Sequence, residues 1–539
     1  MKCRWYLGMR VLACCCILAI TTWGVNDACA APPTTSAAPV DASAPAFNGN
    51  AFNAPPFDAR PFDAPPVAAP ALERLPPTSL DSSPSVIPTP EGWQPIDLDT
   101  ALGLAERMNP TLGGARAAVR ENQALLMQAR ATWLPSLVGG GNYHYHTGAL
   151  QQNAGNITSM MQQSLYLGAG AMAVGSGPAM VPGVQFYNHL GDAFFNPLAA
   201  RQQLVSTQFT ARATNNNVLL QVSDAYWNLL AAEMQHNAWL QSERDLIEVT
   251  RLTIGYAKAG AGRLGDAERA ETALFLLRND VVRTEERTAV AAARLAALLQ
   301  LDPSVRLRIL ETPLETIQLV DPQYHLPELL AIAQSQRPEL AAQSARVATA
   351  QTRYRQEVVR PLVPTVMLGY SGGTFGAGSS ATTPALGGYN GRQDFDAWAF
   401  WTLQNFGAGN AALQGRRRAE MRQADADRLR VFRQVEQEVA EAYARVHAAT
   451  EQVPVFRQQL VIADDGLRRD MNRIRASEGL PIEVLNSQQL LAQARQDFIA
   501  AIVEVNQAQF GLFTALGQPA TAAVRLPAAA PDTPPPPPP

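Results

Sequence analysis

The chain matches itself. Leu98, Leu102, Ala105, Pro110 and Leu112 recur as Leu326, Leu330, Ala333, Pro338 and Leu340 at a constant offset of 228 residues. Farther on, Val222, Ala225, Tyr226 and Gly262 recur as Val439, Ala442, Tyr443 and Gly479 at an offset of 217, with Asp266 falling on Glu483 and Leu299 on Leu516. Self-similarity at a fixed spacing marks one structural unit built twice. The two halves span 96–325 and 326–517. The first carries extra residues, which the offsets place in a loop at 146–190. Each half is expected to run helix, hairpin, long helix, helix.

The helices announce themselves by period. Val435, Val439, Ala442, Val446, Ala449, Val453, Phe456, Leu460, Ala463 and Leu467 step by alternating fours and threes, the seam of a coiled coil. Ala267, Leu274, Val281, Thr288 and Leu295 are seven apart, and their second copies are Val484, Leu491, Phe498, Val505 and Leu512. One helix from Ala412 to Ser477 would be about 100 Å long. A compact domain has no use for such a rod. Pro454 lies inside it and is expected to kink it.

Two stretches behave otherwise. From Ala131 to Ala200 the only charged residue is Asp192, and from Pro361 to Asn410 there are only Arg392, Asp394 and Asp396. Both are rich in Gly, Ser, Asn and aromatics, and Asn142-Tyr143-His144-Tyr145 and Asp396-Ala397-Trp398-Ala399-Phe400 alternate. That pattern is expected of strands with one side in lipid. The expected strands are 136–146, 185–195, 364–374 and 394–404, with external loops at 147–184 and 375–393. Trp398 and Phe400 share a face and are the candidates for lipid contact. Four strands leave unpaired edges that a bilayer does not tolerate, and the smallest closed membrane barrels have about eight. Several chains must therefore share one barrel.

The ends are different again. Lys2, Arg4 and Arg10, the apolar run Val11 to Ile20 and Ala28-Cys29-Ala30 make residues 1–30 an export signal with cleavage expected before Ala31. All five cysteines lie within it. Removing it leaves 40 basic and 46 acidic residues of the full 43 and 47, a balance that argues against a nucleic-acid partner. Residues 31–95 hold sixteen prolines and the imperfect repeat Phe52-Asn53-Ala54-Pro55-Pro56, Phe57-Asp58-Ala59-Arg60-Pro61, Phe62-Asp63-Ala64-Pro65-Pro66, which reads as a disordered arm. Residues 518–539 form a second Pro-rich disordered tail.

Enzyme chemistry is not expected. His144 and His146 form an H-x-H pair on one strand face without a nearby third ligand, and read as side chains facing a barrel interior rather than as a metal site. His236 falls on a heptad seam and reads as a packed helix residue. Gly168-Ala169-Gly170-Ala171-Met172-Ala173 mimics a dinucleotide loop, but Gly175-Ser176-Gly177-Pro178 follows and no helix can start there. Neither a cofactor nor a metal is called for.

Several motifs together resemble the TolC family of outer-membrane efflux proteins. They are Leu98-Asp99-Thr100-Ala101-Leu102 with Glu106, Asn109-Pro110 and Leu112; Leu134-Pro135-Ser136-Leu137; Arg337-Pro338-Glu339-Leu340; Gly479-Leu480-Pro481-Ile482-Glu483-Val484-Leu485; and Leu516-Gly517. The resemblance covers about 96–517. It implies a homotrimer whose subunits each give four strands to a twelve-stranded membrane β-barrel, continued by an all-α coiled-coil barrel that forms a periplasmic tunnel. It also implies a passive exit channel in the outer membrane, in contact with its lipid and served by a periplasmic adaptor and an inner-membrane transporter. A type I protein-secretion duct and a non-transporting periplasmic scaffold are the rival readings. By the same resemblance the turns with Gly260, Gly262 and Arg263 and with Gly479, Leu480 and Pro481 are the adaptor-docking tips, and Asp470 and Arg473 are candidates for a periplasmic gate. Gly265 stands where the family commonly has a Ser.

Overall fold

The computed structural model describes residues 93–172, 180–260, 262–302, 304–310, 315–382, 385–476 and 478–524. The export signal, nearly all of the Pro-rich arm and most of the tail lie outside the described residues. The arm was expected to reach residue 95, but Trp93–Ile96 forms strand β1. It pairs in parallel with β7, Arg306–Ile309. The Arg306 guanidinium lies over the Trp93 ring, and Ile96 and Leu307 are buried, so apolar packing orders this stretch despite its proline.

Nine helices are described: α1 Leu98–Met108, α2 Pro110–Ala131, α3 Leu190–Lys258, α4 Leu264–Leu299, α5 Leu326–Gln336, α6 Pro338–Val359, α7 Ala408–Arg475, α8 Pro481–Ala515 and α9 Ala520–Val524. Their boundaries follow from capping chemistry. The Thr100 N–H donates to the Asp97 carboxylate at 2.8 Å, and the Thr111 N–H to the Asn109 side chain at 2.9 Å. Asn109 thus ends α1 and starts α2, while Pro110 occupies the first turn, where a missing N–H costs nothing. At the matching place in the second half Arg337 precedes Pro338 instead. Its buried guanidinium reaches Glu438 and Glu339 and ties α6 to α7.

The rods α3 and α7 hold 69 and 68 residues, roughly 100 Å each at the helical rise. Both run on through a proline, Pro197 and Pro454 respectively. Toward one end the lateral order of helices is α2, α3, α6, α7; toward the other it is α4, α3, α8, α7. Between these zones a core of Leu102, Leu219, Tyr226, Leu295, Leu307 and Phe510 joins α1, α3, α4, β7 and α8. Leu329, Val439 and Leu512 gather α5, α7 and α8 in the same way. The seam positions Leu467, Val484 and Leu491 are buried with Leu277 and Leu246 where the four long helices meet.

The remaining strands are β2 Ser136–Leu137, β3 Gly139–Gln151, β4 Ile157–Met172, β5 Met180–Pro182, β6 Val184–His189, β8 Thr365–Ser379 and β9 Gly387–Phe400. They form one antiparallel sheet of four columns. β2 and β3 make the first column. The second is composite, because β8 pairs with β6 over 365–370 and with β4 over 372–379. Between β4 and β6, β5 folds back antiparallel on β4. β9 is the fourth column.

Three expectations are corrected here. Residues 147–184 are not an open loop, since β3 and β4 pair as far as Gln151 and Ile157. The span 375–393 is likewise narrower, with β8 reaching Ser379 and β9 starting at Gly387. Pairing with the adjacent strand satisfies the backbone of Gly-rich sequence whose own strand propensity is low. Residues 190–195 begin α3 instead of ending a strand. The His189 ring nitrogen accepts from the Gly191 N–H at 3.1 Å, and Ala193 is fully buried in the helix packing, which overrides the strand-like Phe194-Phe195.

Candidate functional site

Three places on this frame carry side chains arranged for more than packing: the sheet, the belt beneath it and the far turns of the long helices.

Residues opposite each other in a ladder share a face, so the registers sort the sheet's side chains. Tyr143 pairs with Leu165, Leu167 with Thr374, and Tyr370 with Phe395. With Tyr145, Leu368 and Ala397 these make an apolar, aromatic face. Tyr143, Tyr145, Leu167 and Phe395 are 57%, 55%, 55% and 70% exposed. On the other face His144 pairs with Ser164, His146 with Gln162, Gly373 with Arg392 and Ser371 with Asp394. Arg392 donates to Asp394 at 2.8 Å there. Trp398 and Phe400 share a face with each other, as expected, and by the period of two it is the face of Arg392, Asp394 and Asp396. The alternation is legible in the sequence, and the register with β8 places Trp398 and Phe400 beside the three charged residues.

The belt below the sheet is a charge cluster. Arg360 donates to Asp192 at 2.5 and 3.0 Å and to Glu357 at 2.8 Å. Gln356 donates to Asp192 at 2.6 Å, and Arg417 pairs with Glu420 at 2.8 Å. The lone charge Asp192 thus has a structural task, joining α3 to the end of α6. Arg416, Arg417 and Arg418 lie on α7 just past this belt, and Arg418 donates to the Tyr354 hydroxyl.

At the opposite end, α3 turns into α4 and α7 into α8. Gly260 has φ +73°, the left-handed conformation that closes a helix. Arg263 sits at the start of α4 and gives no side-chain cap. At the second turn Gly479 has an ordinary φ. It is needed there for closeness, because a Cβ would stand 3.1 Å from both the Arg473 side chain and the Ile474 nitrogen. The Gly479 N–H donates to the Arg473 carbonyl at 3.2 Å. Pro481 opens α8, and the Glu483 carboxylate accepts from the Leu480 N–H.

Asp470 and Arg473 lie one turn above this end. Asp470 accepts from the Ser487 hydroxyl at 2.5 Å, and Arg473 lies 3.2 Å from Glu483 and 3.8 Å from Asp470. Both are engaged within their own helix pair. The contacts that tie the two turns together are others: the Tyr256 hydroxyl donates to the Ile474 carbonyl at 2.9 Å, and Arg475 meets Glu248 at 2.6 Å. Sequence spacing gave no sign of these, because they join residues about 220 positions apart. Just above, a cavity of about 930 Å³ between α4 and α8 is lined by Trp239, Leu246, Leu276, Ile482 and Leu490.

One more group stands out on the rods. Burial pushes the Asp224 carboxyl up to about 6. It borders a cavity of about 650 Å³ with Asn228, Glu438, Glu441, Arg445 and Glu504. His236 is the packed residue expected, its ring 3.2 Å from the Thr284 hydroxyl.

Residues 329–518 match the family model described as outer membrane efflux protein. Among solved structures the chain is similar to a membrane protein from Pseudomonas aeruginosa, at 20% identity and TM-score 0.64, over 78% of this chain and 93% of that one. It is similar to the outer membrane protein VceC of Vibrio cholerae at 16% identity and TM-score 0.61, over 78% and 96%. It is similar also to the open state of the MtrE outer membrane channel of Neisseria gonorrhoeae, at 18% and 0.60, over 78% and 88%. At these identities the likeness establishes the fold. No curated protein matches the chain. Residues 329–518 thus carry an outer membrane efflux protein domain.

Proposed function

We propose that three copies of the chain close into one passive exit duct. Their four-column sheets would give a twelve-stranded barrel in the outer membrane, and their helices a tunnel below it. The observation that carries this reading is the sheet's pair of free edges: among the described residues β3 and β9 each pair on one side only. Such edges are not left open in lipid. The helices support the same closure. Phe275 and Val282 on α4 and Val455, Val461 and Ile462 on α7 are all more than half exposed, on the two flanks of the layer where a neighbouring copy would cover them. The apolar sheet face with Phe395 would meet lipid and the face with Asp394 would line the lumen, which reverses the expectation for Trp398 and Phe400. The native mass of the detergent-purified complex is expected to be that of a trimer; a stable monomer would sink the reading.

On this proposal the turns at Gly260 and Gly479 lie farthest from the membrane and meet the periplasmic adaptor, which links the duct to an inner-membrane transporter. The cavity between α4 and α8, with Leu246, Ile482 and Leu490 beside Glu268, Arg269 and Gln489, suits an amphipathic helix of such a partner. Opening the entrance would have to part Tyr256 from Ile474 and Arg475 from Glu248, with Asp470 and Arg473 following their helix pair. Gly479→Trp is expected to keep trimer formation and membrane insertion while abolishing pump-dependent export. A Cβ at position 479 would already press on Arg473 and the Ile474 nitrogen at 3.1 Å and an indole would need far more space, whereas the sheet lies about 100 Å away along α7. Normal export by this variant would move the docking site elsewhere.

A further inference from the structure

Two histidines have no part in the duct described above. His144 and His146 stand two residues apart on β3, hence on one face. At about 3.3 Å per residue their Cα atoms are roughly 7 Å apart, close enough for two imidazoles to reach one ion. The Nε2 of His146 is buried without a hydrogen-bond partner. Within one chain the pair lacks a third ligand: among the described residues no three His, Cys, Asp or Glu gather where they could hold a metal.

Closure by copies supplies one. β3 and β9 are the two edges of the sheet, so in a closed barrel β3 of one chain lies beside β9 of the next. The face of β9 that continues the histidine face carries Asp394 and Asp396. The levels also agree. His144 is eight residues in from Ser136, where β2 leaves the helical end, and Asp394 is six residues in from Phe400, where β9 returns to it. Ser164 and Gln162 flank the pair on its own side.

We propose that each seam between copies forms a site, facing the channel interior, for a late first-row divalent ion of the zinc, copper(II) or nickel class. His144 and His146 come from one chain and a carboxylate, Asp394 or Asp396, from the next. This rests on the closed-barrel reading. Imidazole is the ligand these ions favour here, since all five cysteines lie in the first 30 residues. Zinc accepts a mixed nitrogen and oxygen set with water in the remaining position. Arg392 on the same face opposes a cation and tempers the affinity.

The test uses the untagged protein in detergent, its mass measured first, then dialysed against zinc chloride alone. The expected result is one ion per chain, three per trimer. His144→Asn with His146→Asn should remove it. Asp394→Asn with Asp396→Asn, which removes the third ligand, should weaken it at least about 10-fold, the least that loss of even a supporting group costs. Both variants should remain trimers by mass. A trimer that binds no zinc, or binds it as well without the histidines, overturns the site. Loss with the histidines but no change with the aspartates overturns the ligand from the next chain. A monomer removes the closed barrel, and the seam site falls with it.

Discussion

Phe395→Arg is expected to prevent assembly of the oligomer, while Phe400→Arg leaves it largely intact. Phe395 lies opposite Tyr370 on the sheet's aromatic face and is 70% exposed in the single chain. An arginine on the lipid side of a barrel costs about 2–4 kcal/mol at midplane. Three copies make that roughly 6–12 kcal/mol, comparable to the whole stability of an ordinary domain. Phe400 is the last residue of β9, on the face of Arg392, Asp394 and Asp396, where a guanidinium would find water and carboxylates. Refolding each variant into liposomes and measuring the yield of trimer by native mass separates the faces. Normal assembly of Phe395→Arg together with failure of Phe400→Arg would exchange lumen and lipid.

The second large effect is on stability against pH. Burial raises the Asp224 carboxyl from the ordinary 3.8 to about 6. The folded protein therefore binds this proton more tightly than the unfolded chain does. Its stabilising contribution is complete below about pH 4 and is lost as pH rises through about 6. Asp224→Asn removes the charge that must be buried above that range. Two pH units at about 1.4 kcal/mol each give a gain of about 3 kcal/mol per chain at pH 7.5 and little change at pH 4. Thermal unfolding of native and variant protein at pH 4, 6 and 7.5 reads the difference. Equal midpoints at pH 7.5 would mean that the carboxylate keeps its water in the assembly.

Much of the frame was open to a reader of the sequence. The heptad positions Ala267, Val484 and Leu491 are buried, as period alone requires when an apolar stripe must leave water. The expected helix 412–477 is found at Ala408–Arg475. The H-x-H pair lies on a strand as alternation suggested. The tip turns fall where glycine and proline interrupt the period, although the reason for Gly479 is crowding by Arg473 and Ile474 and not a left-handed backbone.

What the sequence determined by itself was local: helical period, strand alternation, turn chemistry and the internal repeat, because each depends on residues a few positions apart or on comparing the chain with itself. The tertiary structure alone decided the rest. It split the second column between β4 and β6, since that depends on which strand β8 meets at each level. It turned 190–195 into helix, because burial of Ala193 and the His189 cap outweigh an aromatic pair's preference for strand. It also brought Tyr256 to Ile474 and raised Asp224 toward neutrality, because hydrogen bonds and desolvation act between groups close in space, whatever their separation along the chain.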